Sequence, residues 1–242
     1  MMRARGIGAR ARLAALALTI GMTASFATEA TPLAAWQDAA PAPIEVGAGP
    51  VREQAFALVG RSVYAGDSVQ MFGYLTDVIG LEPAQVFTDA LPSVQTARFT
   101  YVGEIPLTSS GSRGDVTEFA GEGTITIFYD EDAGAGWDDP GSFADGEPVA
   151  EFSLSLRDTL QLQAPAVGVV VGDERYRQEV AGEIVIGGEP YRFGQAGIEG
   201  RLRTVGALIG SADEPGLIVG LTGSGSVTAR ETIPVSPGET AT

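Results

Sequence analysis

The sequence predicts an all-β protein: a single antiparallel β-barrel of about nine strands with little helix, or a β-sandwich as the alternative. Three observations predict it. The stretch 147–163, EPVAEFSLSLRDTLQLQ, places Ala150, Phe152, Leu154, Leu156, Leu160 and Leu162 on one parity. Glu151, Ser153, Ser155, Arg157, Thr159 and Gln161 fall on the other, the period of a strand with one dry face. Further β-type runs recur between Gly, Pro and Asp turn signals, and no long segment beyond residue 27 has a helical period. At ~3.3 Å per residue the first stretch would run ~40 Å, longer than most strands in flat sheets, so it bends as barrel strands do.

Taken in order, the chain opens with a leader. Arg3, Arg5, Arg10 and Arg12 precede the apolar run 13–22, and Ser25 and Ala27 supply the small residues of a cleavage site. Residues 1–27 therefore read as a secretory signal peptide, with a secreted or extracytoplasmic mature chain. The apolar run is too short for a bilayer-spanning helix, so no transmembrane span is expected after cleavage. Residues 28–51, rich in Ala and Pro, read as a flexible linker, 52–230 as one antiparallel β domain, and 231–242 as a disordered tail.

Within the domain, 53–64 and 68–78 form a hairpin around Ala65-Gly66-Asp67, and 83–89 suits one helical turn. A strand at 97–105 precedes a loop at 106–114, and a β-branched strand at 123–129 precedes the acidic connection 130–146. Beyond the alternating stretch, 165–172 reads as a short buried strand. Gly187-Gly188 is a two-residue hairpin turn that sets Tyr191 opposite Ile184 and Phe193 opposite Gly182, all on the apolar parity. Segment 197–203 suits either a helical turn or a strand, and 205–209 and 217–229 are the closing strands.

Composition excludes much chemistry. The chain has no Cys, His, Lys or Asn. Disulfides, the usual zinc, copper and haem ligands, histidine-based triads and lysine Schiff bases are all ruled out. Gly66-Asp67-Ser68 resembles the start of an esterase signature, but no histidine exists to activate the serine. Loss of residues 1–27 leaves 11 arginines against 31 acidic residues, a net charge of −20. Such a field repels nucleic acid, and no nucleic-acid partner is expected.

Three groups remain as candidates. Asp158 interrupts the apolar parity of its strand, so a regular strand turns it inward, where burial raises a carboxyl pKa. A bulge at Arg157-Asp158 would instead return it to water. It is the candidate catalytic acid, with Glu183 and Glu151 as further acids and Arg177, Arg192, Arg201 or Arg203 as conceivable partners. With Phe152, Leu154, Leu156, Tyr191 and Phe193 it is also a candidate for lining a ligand cavity. Trp137 and Phe143, in the acidic connection, suit either an aromatic platform at the barrel mouth or pins that hold the loop. Asp130, Asp132, Asp138 and Asp139 offer hard oxygen ligands for calcium, although Ala135 and Gly141 break the EF-hand pattern. No other cofactor is expected.

The expectation is a secreted, acidic, non-enzymatic barrel that binds a small apolar ligand or serves a surface or structural interaction. A carboxylate-dependent barrel enzyme, cyclase- or isomerase-like, is one alternative, and a calcium-stabilised exported protein another. The sequence leaves the oligomeric state open.

Overall fold

The computed structural model describes residues 54–210 and 216–230. The expected leader, linker and tail (1–27, 28–51 and 231–242) lie outside the described residues.

Eight antiparallel strands close into a barrel. In chain order they are β1 (Gln54–Ala65), β2 (Ser68–Val78), β3 (Phe99–Arg113), β4 (Val116–Tyr129), β5 (Glu147–Ala164), β6 (Val167–Ala181), β9 (Ile198–Gly210) and β10 (Gly216–Arg230). Each pairs with its neighbour in that order, and β10 returns to β1 through partners such as Val59↔Thr222. The chain makes one detour: β7 (Glu183–Ile186) and β8 (Glu189–Arg192) form a separate two-stranded sheet between β6 and β9. Closure leaves no free sheet edge in the barrel, which removes the exposed backbone donors that invite aggregation.

The inner face is the sum of the dry parities. From β5 it takes Phe152, Leu154 and Leu156, from β2 Met71 and Leu75, from β3 Phe99 and Tyr101, and from β9 Leu202, all buried. Small residues make room for large ones. Tyr101 lies across the inward-facing Gly60 and Gly73, and a Cβ on Gly60 would overlap its hydroxyl and come 2.6 Å from the Phe72 carbonyl. Gly60→Ala is therefore expected to destabilise by about 1–3 kcal/mol through overpacking. A lower denaturation midpoint at unchanged slope would show it. Between Phe56, Leu58, Tyr101, Phe152 and Leu202 a void of about 20 Å³ remains, room for a single water at most.

The two barrel ends differ. One carries the tight turns joining β1 to β2, β3 to β4 and β5 to β6. The other carries the longer connections, including the β7–β8 excursion, and Phe193 plugs it. That ring is 1% exposed and sits 6.1–6.5 Å from those of Phe56, Phe99, Phe152 and Tyr191. Gln178 of β6 ties the excursion down. Its Nε2 donates to the carbonyls of Phe193 (2.6 Å) and Val180 (3.0 Å), and its Oε1 accepts from Gln195 N (3.2 Å).

The hairpin around Gly66, the strand 147–163 and the Ile184↔Tyr191 pairing follow the pattern read from sequence. Phe193 N donates to Gly182 O at 3.2 Å, so the predicted pairing continues past the strands. Four elements differ, the first being the strand expected at 123–129, which begins already at Val116. Residues 106–113 are strand and not loop, because β3 and β4 run on together beyond the point where β2 ends at Ser68↔Pro106. β6 runs unbroken from Val167 to Ala181, well past the end of the short strand read at 165–172. Segment 197–203 is strand, the start of β9. One helical turn, α1 (Pro83–Val86), occupies part of 83–89.

Candidate functional site: a buried carboxyl pair and an arginine ladder

Asp158 points inward. The β5–β6 register is continuous from Ser155↔Arg175 to Asp158↔Gly172, so the bulge that would turn it outward does not form. It is 4% exposed. Glu174, two positions beyond Gly172 on the same face of β6, is fully buried beside it. The hydroxyl of Tyr64 on β1 donates to Asp158 Oδ2, and Thr204 Oγ1 on β9 donates to Glu174 Oε1 at 3.0 Å. Gly172 is required by this crowding. A Cβ there would lie 2.6 Å from Asp158 Oδ1 and would collide with Glu174 Oε1 and Thr204 Oγ1.

Among the described residues neither carboxylate has an ion pair. The arginines considered as partners are elsewhere: Arg177, Arg201 and Arg203 lie on the outer wall, and Arg192 pairs with Glu183. Two carboxylates in an apolar interior cannot both ionise cheaply. Burial, and then the Asp158 charge, push the Glu174 carboxyl up to about 8. Burial raises Asp158 as well, opposed by the hydrogen bonds from Tyr64 and Glu174. Asp158 Oδ1 and Glu174 Oε2 are buried without a hydrogen-bond partner among the described residues. The same burial and the negative charge of Asp158 drive the Tyr64 hydroxyl far above its usual range, so it stays a donor. The pair is a buried carboxyl dyad anchored by one tyrosine and one threonine.

Glu174 was legible in the sequence. Val170, Gly172, Glu174, Tyr176 and Gln178 share a parity, but reading 165–172 as a separate strand breaks that series. The other proposed acids are outside: Glu151 is exposed and faces away from the interior, and Glu183 is exposed on β7.

Phe152, Leu154 and Leu156 lie inside, as their parity requires, but the space they face is packed. Tyr191 and Phe193 belong to the plug and not to a barrel strand. Trp137 and Phe143 do not flank a mouth. They pack on the outer wall against Phe72 of β2, with centroids 6.3 and 5.3 Å away, and against each other at 5.2 Å. Arg61 of β1 lies over the Trp137 ring at 4.7 Å, and Thr100 Oγ1 donates to the Phe143 carbonyl at 2.7 Å. These contacts pin the acidic loop. Asp130 and Asp139 instead accept backbone hydrogen bonds from Asp132 (3.0 Å) and Gly141 (3.1 Å). With Asp132 and Asp138 they form no metal cluster: among the described residues no three acidic groups converge.

The outer wall holds a second charged feature, on β5, β6 and β9. Its rungs are Arg177↔Glu199, Arg175↔Arg201 and Asp173↔Arg203, with Arg157 on β5 nearby. Five of the ten arginines among the described residues lie here, in a chain whose net charge is −16. Arg201 reaches diagonally to Asp173 at 2.6 Å, and Arg177 pairs with Glu179 (3.8 Å) and Glu199 (3.6 Å). The guanidinium of Arg175 has no ion pair among the described residues. Towards the turn end the ladder becomes apolar, through the exposed rung Val171↔Val205.

Fold and site together define an eight-stranded up-and-down barrel with a filled interior, a buried carboxyl dyad and a basic strip on an acidic surface. Comparison with protein-family models, curated proteins and solved structures returns no match to this chain.

Proposed function

We propose that the chain is an exported, non-enzymatic barrel that works through its outer wall and not through an enclosed ligand cavity. The observation that carries this reading is the packed interior. A void of about 20 Å³ is far below the roughly 300 Å³ at which small-molecule pockets begin. The leader-like residues 1–27 support export. The missing histidine, cysteine and lysine side chains support a non-enzymatic role. Exposed Val167, Val171, Val205 and Ile209 beside the arginine rungs support contact through the wall. Titration with long-chain fatty acids and a naphthalene sulfonate dye is expected to leave the amide signals of Phe152, Leu154 and Leu156 unmoved. Saturable shifts at those residues would overturn the reading.

One observation favours a second reading, a carboxylate-dependent enzyme. Asp158 lies beneath a surface depression shared with Ser110, Phe119 and Arg157, and the half-buried Phe119 ring stacks on Tyr64 at 4.8 Å. A substrate passing Phe119 would meet a protonated carboxyl and a tyrosine hydroxyl, the equipment of general acid catalysis. An epoxide reagent that esterifies accessible carboxyl groups separates the readings. Selective labelling of Asp158 or Glu174 favours the enzyme; labelling confined to surface acids favours the wall.

A further inference from the structure

We propose that the depression around Arg175 and Arg201 is a binding site for acidic oligosaccharides, gripped through sugar carboxylate or sulfate groups. It deepens the outer-wall reading and rests on it.

The argument starts from the ladder. Like charges directly opposite across two strands destabilise a sheet, and the rungs on either side of Arg175↔Arg201 pair opposite charges. The central rung departs from that pattern: Arg201 is shared with Asp173 and Arg175 has no counter-ion among the described residues. An anion seated between the two guanidinium groups converts the repulsion into charge-assisted hydrogen bonds, which planar arginines make in pairs.

The surroundings specify the rest of the ligand. The wall is concave here, with a depression of about 600 Å³. Ser153, Ser155, Glu122, Glu199 and Thr228 line it around the arginines. Hydroxyls and carboxylates among guanidinium groups suit a molecule that carries many hydroxyls and a few negative charges. A bare phosphate would leave the acidic lining unanswered. Among the described residues of the lining the one aromatic, Tyr176, is buried beneath the floor, so recognition is by charge and hydrogen bond and not by ring stacking.

Scale excludes larger anions. At physiological ionic strength charges are screened beyond about 8 Å, so a short saccharide in the depression senses mainly the ladder. A bilayer or a nucleic-acid duplex would bring its charge against the acidic remainder of a chain with net charge −16.

The test titrates the full chain with oligogalacturonate and, separately, with a sulfated heparin hexasaccharide, at low and high salt. Saturable binding of at least one sugar is expected, weakened by salt. Arg175→Ser should weaken it, and Arg175→Ser with Arg201→Ser should weaken it about tenfold or more at an unchanged melting temperature. Arg113→Ser, on the exposed β3–β4 hairpin, should leave it unaltered. Preference between the two sugars tells carboxylate from sulfate recognition. No binding of either, or equal binding by the double variant, overturns the proposal. So does binding to phosphatidylglycerol vesicles in place of the sugars. A failure here, with the interior amides still silent to apolar ligands, leaves the outer-wall reading standing; shifts in those amides remove both.

Discussion

Between about pH 5 and about pH 9 the melting temperature is expected to fall, and Glu174→Gln is expected to abolish most of that fall. In the unfolded chain Glu174 ionises at its ordinary value of 4.5, and in the barrel only at about 8. Between these values the folded state holds a proton that the unfolded state has released. Stability from this group is therefore complete below the unfolded value and is lost as pH rises through the folded one. One pKa unit corresponds to about 1.4 kcal/mol, so the loss is on the order of a few kcal/mol. For a domain of this size that is roughly 10 °C in melting temperature. Glutamine keeps an oxygen to accept from Thr204 but has no charge to desolvate. Asp158→Asn removes only the neighbouring charge; burial, the larger cause, remains, so part of the slope should persist. Parallel pH profiles for the wild type and Glu174→Gln would show that burial of Glu174 does not set the pH dependence.

Phe193→Ala is expected to lower stability by about 3–5 kcal/mol, the usual cost of deleting a fully buried aromatic side chain. Its ring meets four others, and the Gln178 hydrogen bonds hold its backbone in place. The excursion therefore cannot collapse into the gap without breaking them. The void should stay apolar and dry, and so bind benzene or a ligand of similar size, as enclosed apolar cavities do. Thermal melts with and without benzene check both effects: stabilisation by benzene is expected in the variant and not in the wild type. A variant that melts like the wild type would mean that the plug is not what closes that end.

Strand periodicity was legible wherever one face is wet. Alternation on β5 places the inner and outer residues correctly, and with them the inward turn of Asp158. Gly187-Gly188 places the β7–β8 hairpin and its register, because positive φ at both residues selects the tight turn that aligns Ile184 with Tyr191. Alternation carries less where both faces are covered or both are wet. Phe72 and Tyr74 lie on the outer parity of β2 yet are apolar, because Trp137 and Phe143 cover them. Residues 107–113 are exposed or only partly buried and carry Ser and Gly, which disguises their strand as a loop.

By itself the sequence determined the strand class, the inner parity of β5 and the absence of histidine, cysteine and lysine chemistry, because those depend only on local period and residue type. The tertiary structure alone decided which strands became neighbours. Closing β6 against both β5 and β9 set Glu174 beside Asp158, with Thr204 on one and Tyr64 on the other, and set Arg175 opposite Arg201. Residues far apart along the chain meet only through hydrogen-bond register, and register is a property of the closed barrel rather than of any single strand.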